Sequence, residues 1–375
     1  MVKAQNLIFF QGNTQYENSG DVLINASLVT LFKAKGHFII NDSEMPEEYI
    51  VGIGIEPNER ISYYNRGFIL YALTSCLSRF FNRSKPKVYL IAGPPGHLFG
   101  DSLKKAARTV VSASVLFLFR LFGGKIIKIG FSVGPIGSLL AKTESFRANF
   151  VNHYLVRESL SLSFSRQIGI KKARFFPDLA WIYTPPNYKK AAVRNRIVLS
   201  FRNSITLHDK DNAYLEKLKN NLFYLLDSLD VQKFELEIIY QVKMDYQFCA
   251  KLYDELKGHY QVSFREHQID LDNAHEVYSD AYFVLTNRLH CALLAYKYGA
   301  LPIVLTAAKD HLKIRGIYGD AGIDHMILNV DRPKEDNLKA LRLILGNSDR
   351  ELKHIDAVSK KYSDDAQKII DEIFN

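Results

Sequence analysis

Short apolar runs alternate with amphipathic stretches from one end of the chain to the other, the pattern of strands joined by helical crossovers into parallel sheets. In the first half the runs predict strands at residues 7–10, 37–40, 88–92, 125–131, 154–156 and 174–176. A helix opens after Asn18-Ser19-Gly20-Asp21, with Ile24, Leu28 and Leu31 at helical spacing and Lys33, Lys35 and Gly36 as its stop. The second half predicts strands at 197–201, 235–241, 261–264, 282–286 and 301–305, with helices at 212–229, 246–257 and about 290–298. Between them, Thr184 to Arg196 is proline-led, basic and without apolar period, and reads as a linker. The expectation is two Rossmann-like α/β domains, residues 1–185 and 196–348, their parallel sheets facing across a cleft. A helical tail, 349–375, is expected to pack across their junction.

Length agrees with that division, because 375 residues at 47% hydrophobic exceed what one core usually organises. The formal net charge of +9 favours anionic partners without choosing among nucleic acid, lipid headgroups and phosphorylated small molecules. No zinc finger, ribonucleoprotein box or long basic tail is present, so nucleic acid is not expected. Cys76, Cys249 and Cys291 are scattered, without disulfide or zinc spacing, which fits a reducing cytosol. The first apolar run is too short for a signal peptide, so a cytoplasmic location is expected. Residues 109–119 are almost wholly apolar yet too short to span a bilayer. They read either as a buried helix or as a membrane-surface helix beside Arg79, Arg83, Lys85 and Lys87.

Candidate chemistry concentrates at strand ends. In Ser279-Asp280-Ala281-Tyr282-Phe283-Val284-Leu285-Thr286-Asn287-Arg288-Leu289-His290 a strand stops, and an arginine and a histidine follow where the next helix begins. Ligands of open parallel sheets sit beyond the carboxyl ends of the strands, and a helix N-terminus there suits an anion. Arg288 adds a fork that fits phosphate or carboxylate; the alternative pairs Arg288 with a structural carboxylate and makes His290 a cap or core contact. The strand 197–201 runs into Arg202 in the same way, and Lys313 follows the strand ending at Leu305. Asn18-Ser19-Gly20-Asp21 is either a helix cap and turn or part of a site. The same choice holds for the glycine-rich end Ala92-Gly93-Pro94-Pro95-Gly96-His97. Asp270-Leu271-Asp272 reads as a solvated helix start, and no metal-ligand spacing, Walker loop or nucleophile elbow occurs. No metal is expected.

In order along the chain, these segments resemble the polysaccharide pyruvyl transferase family. The pieces are Asn18-Ser19-Gly20-Asp21, Ala92 to Gly96, Gly130-Phe131-Ser132-Val133-Gly134-Pro135, Val156-Arg157-Glu158-Ser159-Leu160-Ser161, and Gly169-Ile170 leading to Phe176-Pro177-Asp178-Leu179-Ala180. Arg288-Leu289-His290, then Gly299-Ala300-Leu301-Pro302 with Lys313, complete the series. Gly93-Pro94-Pro95-Gly96 departs from the family's run of three glycines. The resemblance implies a GT-B-like fold, phosphoenolpyruvate as donor with no cofactor, and a pyruvate ketal on a sugar of a surface or capsular polysaccharide. It also implies that Arg202, Arg288, Leu289 and His290 bind the donor; Lys313 joins them from its place after a strand end. Ketal formation needs an acid and a base; His290 is the candidate acid and Asp21, expected across the cleft on the first domain, the candidate base. Asn18, Gly20 and His97 are the candidates on the acceptor side. A lipid-linked acceptor would bring the protein to an anionic membrane, at the inner face of the plasma membrane. Two rival readings remain open here: a GT-B glycosyltransferase whose Arg202 and Arg288 bind the diphosphate of a nucleotide sugar, and a non-catalytic glycan-binding protein.

Overall fold

The computed structural model describes residues 5–186, 191, 193–203, 212–309 and 311–375; residues 187–190 and 192 of the expected linker lie outside them. The chain forms two compact units: Met1–Tyr16, Ile24–Ile182 and Tyr362–Asn375 make the first, Glu17–Leu23 and Tyr183–Lys361 the second. Residues 17–23 thus depart from the expected division, since they count with the second unit.

The first unit's strands are β1 (Asn6–Phe10), β2 (Gly36–Ile40), β3 (Val88–Ile91), β4 (His97–Gly100), β5 (Lys125–Ile136), β6 (His153–Val156) and β7 (Arg174–Phe175). They pair in the order β2-β1-β3-β5-β6-β7, all parallel, with β4 alongside the far end of β5. Its helices are α1 (Ser19–Lys33), α2 (Glu47–Gly52), α3 (Phe68–Phe81), α4 (Leu103–Leu121), α5 (Ser138–Ala148) and α6 (Ser159–Gln167). Phe9, Ile39, Leu90, Ile126 and Phe131 of the strands meet Phe68, Ala72, Leu116 and Phe119 of α3 and α4 in one core. The near-continuous apolar strands are what a sheet covered on both faces requires.

The second unit holds β8 (Arg196–Ser200), β9 (Glu235–Ile238), β10 (Val262–Phe264), β11 (Ala281–Thr286), β12 (Leu301–Thr306) and β13 (Ile327–Asn329), ordered β10-β9-β8-β11-β12-β13 and all parallel. Between and after them lie α7 (Asn212–Ser228), α8 (Tyr246–Leu256), α9 (Ala274–Tyr278), α10 (Leu289–Lys297), α11 (Leu312–Asp320), α12 (Lys334–Gly346) and α13 (Ser348–Phe374). Helix α13 is divided. Within the second unit, Asp356 accepts from Tyr296 Oη at 2.8 Å and Ser359 from Lys297 Nζ at 2.8 Å. Within the first, Tyr362 packs on Trp181 and Phe374 on Tyr89.

Three segments singled out in the sequence meet inside the first unit. Arg157, fully buried, donates from Nε to Ser132 Oγ at 2.8 Å and from Nη1 to Asp178 at 3.1 Å. Ser132 Oγ donates in turn to Glu158 at 3.0 Å, and Ser161 Oγ accepts from the Val133 amide at 2.7 Å. Gly130, at φ +72°, is needed for both its conformation and its closeness to Leu179, whose Cδ1 would lie 2.7 Å from an added Cβ. These segments therefore carry a satisfied polar core, which explains their residue types without a ligand.

A second buried group in that unit has a measurable consequence. Glu144 receives Lys128 Nζ at 2.7 Å, Arg147 at 2.6 Å and the Tyr154 hydroxyl at 2.9 Å. Burial alone would raise its pKa, but Lys128 and Arg147 outweigh that and hold it at about 2. A carboxylate depressed in the fold stabilises above its unfolded pKa and loses that contribution as pH falls toward the folded value. Glu144→Gln should therefore cost on the order of 3 kcal/mol at neutral pH, with the gap from wild type closing as pH drops through the range below 4.5. Urea unfolding at stepped pH measures both; parallel profiles would contradict the assignment.

Candidate functional site

At the carboxyl edge of the second sheet, two strand ends are stitched together by one buried residue. Asn287 Oδ1 accepts from the Arg202 amide at 2.9 Å, and its Nδ2 donates to the Arg202 carbonyl and the Tyr214 hydroxyl, both at 2.9 Å. Thr286 Oγ1 donates to the Ser200 carbonyl and accepts from the Arg288 amide at 3.0 Å. Backbone groups that leave the β8 and β11 ladders are thereby satisfied, and the two arginines are delivered from fixed turns. Thr286 and Asn287 stood in the quoted sequence without a role; a polar pair ending an apolar strand is the signal that could have marked them.

Arg288 is gripped by a carboxylate that the sequence reading missed. Its Nε donates to Asp245 Oδ2 at 2.8 Å and its Nη2 to Oδ1 at 2.5 Å, so one edge of the fork is committed and the Nη1 edge carries the remaining donors. The carboxylate pairing that the alternative gave Arg288 is thus present on one edge of its fork. Asp245 is nearly buried, which pushes its pKa up, while Arg288 pulls it back. Nothing in Lys243-Met244-Asp245-Tyr246 distinguishes this acid from an ordinary one in the first turn of a helix.

Arg202 is held differently. Its Nη2 donates to His311 Nε2 at 2.7 Å, and His311 Nδ1 meets Thr306 Oγ1. A guanidinium can only donate, so Nε2 must accept; these partners assign His311 the neutral tautomer with its proton on Nδ1. Burial first and the Arg288 charge second lower the Arg202 pKa to about 10. His311 comes from the run that supplied Lys313 as a candidate. Lys313 itself stands half-buried in the first turn of α11.

The segment Glu17–Ser19 lies along the chain that leaves β9. Asn18 bridges Val242 in antiparallel fashion, the Ser19 amide donates to the Gln241 carbonyl at 3.0 Å, and Ser19 Oγ donates to the Ile269 carbonyl at 2.5 Å. Gln268 Nε2 locks the arrangement through the Glu17 and Gln241 carbonyls at 3.1 and 2.9 Å. Asn18 also caps the turn into α1: its Oδ1 accepts from the Gly20 amide at 3.0 Å and its Nδ2 donates to Asp21 Oδ1 at 3.1 Å. Asp21, expected on the first domain, accordingly counts with the second unit.

Gly20 then meets His290. A Cβ on Gly20 would lie 2.7 Å from His290 Nδ1, 2.8 Å from its Cβ and 3.1 Å from Asn18 Oδ1. Close approach, not backbone conformation, is what demands glycine here. His290 is the second residue of α10, whose residues from Cys291 to Ala295 are buried throughout, so the helix is fixed in the core and its first turn cannot wander. Asn18, Gly20, Asp21, Arg202, Arg288, Leu289 and His290 therefore all belong to the second unit. His97 does not: it lies in the first unit, donates from Nε2 to the Gly134 carbonyl at 2.7 Å and stacks on Phe99. Among the described residues no group of three or more His, Cys, Asp or Glu could hold a metal ion.

The family profile for polysaccharide pyruvyl transferase matches residues 18–306, which begin at Asn18 and end at the last residue of β12. The chain belongs to the polysaccharide pyruvyl transferase family. No curated protein sequence matches it. Among solved structures it is similar to the Anabaena protein Alr3699/HepE in complex with UDP-glucose, at a TM-score of 0.59 and 10% identity over 98% of each chain. It is also similar to UDP-GlcNAc 2-epimerase from Neisseria meningitidis bound to UDP-GlcNAc, at 0.56 and 11% over 98% of this chain and 99% of that one. At such identities the likeness shows the fold alone, which is GT-B with two parallel-sheet α/β domains.

Proposed function

We propose that this member of the family transfers the pyruvyl group of phosphoenolpyruvate to two hydroxyls of a sugar in a surface polysaccharide or its lipid-linked precursor, in the cytoplasm and at the inner face of the plasma membrane. The observation that carries the reading is the pair Arg202 and Arg288, set at the sheet's carboxyl edge beside the first turn of α10, with Asp245 gripping one edge of the Arg288 fork and the Nη1 edge left with donors. Burial and then the Arg288 charge hold the Arg202 pKa down, and a donor with a phosphate and a carboxylate would offset both by pairing with the two cations. The chemistry adds a proton to the enol carbon, forms two carbon–oxygen bonds at the neighbouring carbon and releases phosphate. His290 supplies the proton, and Asp21 is the base proposed for a sugar hydroxyl.

Mass spectrometry of sugar acceptors incubated with the protein and phosphoenolpyruvate should reveal a pyruvyl ketal. A sugar added from a UDP-sugar instead would favour the glycosyltransferase reading. Arg202 is the cleaner residue for a binding test, because removing Arg288 would strand the buried Asp245 charge and destabilise the fold. Arg202→Ala should weaken phosphoenolpyruvate binding at least about tenfold in a calorimetric titration, the loss of a charge-assisted contact. Unchanged affinity would remove Arg202 from the donor site.

A further inference from the structure

The helix layer of the first unit made by α3, α4 and α5, packed side by side, presents an outer surface that the family's chemistry does not account for. On α4 the side facing the sheet is Ala106, Thr109, Ala113, Leu116 and Phe119, all buried. The flank beside it repeats the apolar pattern: Leu103, Val110, Phe117 and Leu121 recur at seven- and four-residue steps, and Val111 and Leu118 carry it round to the side away from the sheet, all exposed. Leu103 is 78% and Val111 67% exposed. Helix α3 does the same with Leu70, Leu77 and Phe81, the last 79% exposed and in ring contact with Phe80. Phe146 of α5 continues the surface through Phe150, which Phe117 also touches. The buried-helix reading of the apolar stretch thus holds for the side of α4 that faces the sheet.

Charge around this surface is predominantly positive. Between Arg66 and Thr143 there are twelve lysines and arginines and a single acid, Asp101. Lys104, Arg108, Arg83, Lys85, Lys87 and Lys142 are exposed around the apolar positions. Glu144 of α5 is buried and spoken for by Lys128 and Arg147. Among the described residues no helix is long and apolar enough to cross a membrane.

We propose that the outer face of α3, α4 and α5 docks on the surface of an anionic lipid bilayer. Leucine and phenylalanine enter the boundary of the acyl layer while lysine and arginine stay among the headgroups. A second copy of the chain fits less well, since a two-fold contact would set cations against cations, and lysine is depleted in protein interfaces. Docking through this face rests on the inner-face location proposed above, while its test needs no turnover, so its failure leaves pyruvyl transfer standing.

The test is flotation of the whole chain with phosphatidylglycerol-containing vesicles and with pure phosphatidylcholine vesicles. Binding to the first, little to the second, and release by salt are expected. Leu103→Ser combined with Val111→Ser and Leu121→Ser should lower partitioning at least roughly tenfold, as should Lys104→Glu with Arg108→Glu, while melting temperature stays near wild type. Failure to bind anionic vesicles at low salt overturns the proposal. So does serine-variant binding equal to wild type, or a dimer in light scattering that these substitutions dissociate without any vesicle binding.

Discussion

Gly20→Ala should cut turnover by roughly a hundredfold, although the added methyl touches no substrate, because displacing a reacting group by about an ångström has that effect. Its Cβ would fall inside contact distance of the His290 imidazole and of the Asn18 side chain, so either the ring moves or the turn into α1 opens. Stability should fall too, by about 1–3 kcal/mol, as overpacking does. Two comparisons separate positioning from general damage. Gly258→Ala, where a Cβ meets nothing within 4 Å, should change neither property. Adding His290→Gly to Gly20→Ala removes both the imidazole and its Cβ, so it should recover part of the melting temperature and leave turnover low. If Gly20→Ala melts early and the second substitution does not rescue it, the close approach is not what fixes the imidazole.

The sheets were legible because each strand is a short apolar run between turn or helix signals, a pattern that burial on both faces imposes. Strands β4 and β13 escaped: His97–Gly100 is only partly buried, and Ile327–Asn329 has a single fully buried residue, Leu328. Arg202 and Arg288 were legible because a cation right after an apolar strand is visible in one dimension. Their partners were not. Asp245 and His311 reach the arginines from 43 and 109 residues away, and separations of that size leave no local trace. The same limit misplaced Asp21: its segment begins a helix that belongs mostly to the first unit, while the hydrogen bonds of Glu17 and Ser19 to Gln241, Lys243, Gln268 and Ile269 tie it to the second. Gly20 could be read as a turn glycine from sequence, but the imidazole that excludes any other residue lies 270 positions on.

His290→Gln should leave phosphoenolpyruvate affinity within a few fold of wild type and reduce kcat by roughly a hundredfold or more at saturating donor and acceptor, the usual contribution of a general acid. Glutamine has nearly the reach of histidine and can keep a hydrogen bond, but its amide cannot deliver a proton. Arg202 and Arg288 remain in place, since Asn287, Thr286, Asp245 and His311 hold them without help from His290. A mere cap or core role predicts the reverse: lower melting temperature, and turnover per folded molecule nearly intact. An acid must be protonated to act, so the fall of wild-type kcat toward alkaline pH should flatten in the variant. Turnover in deuterated water adds a chemical readout, because protonation of the enol carbon places solvent deuterium in the ketal methyl group. A ketal methyl without deuterium would sink enol protonation itself. Deuterium at the wild-type level together with kcat within a few fold in His290→Gln would instead acquit the chemistry and dismiss the residue, leaving Lys313 as the next acid to replace.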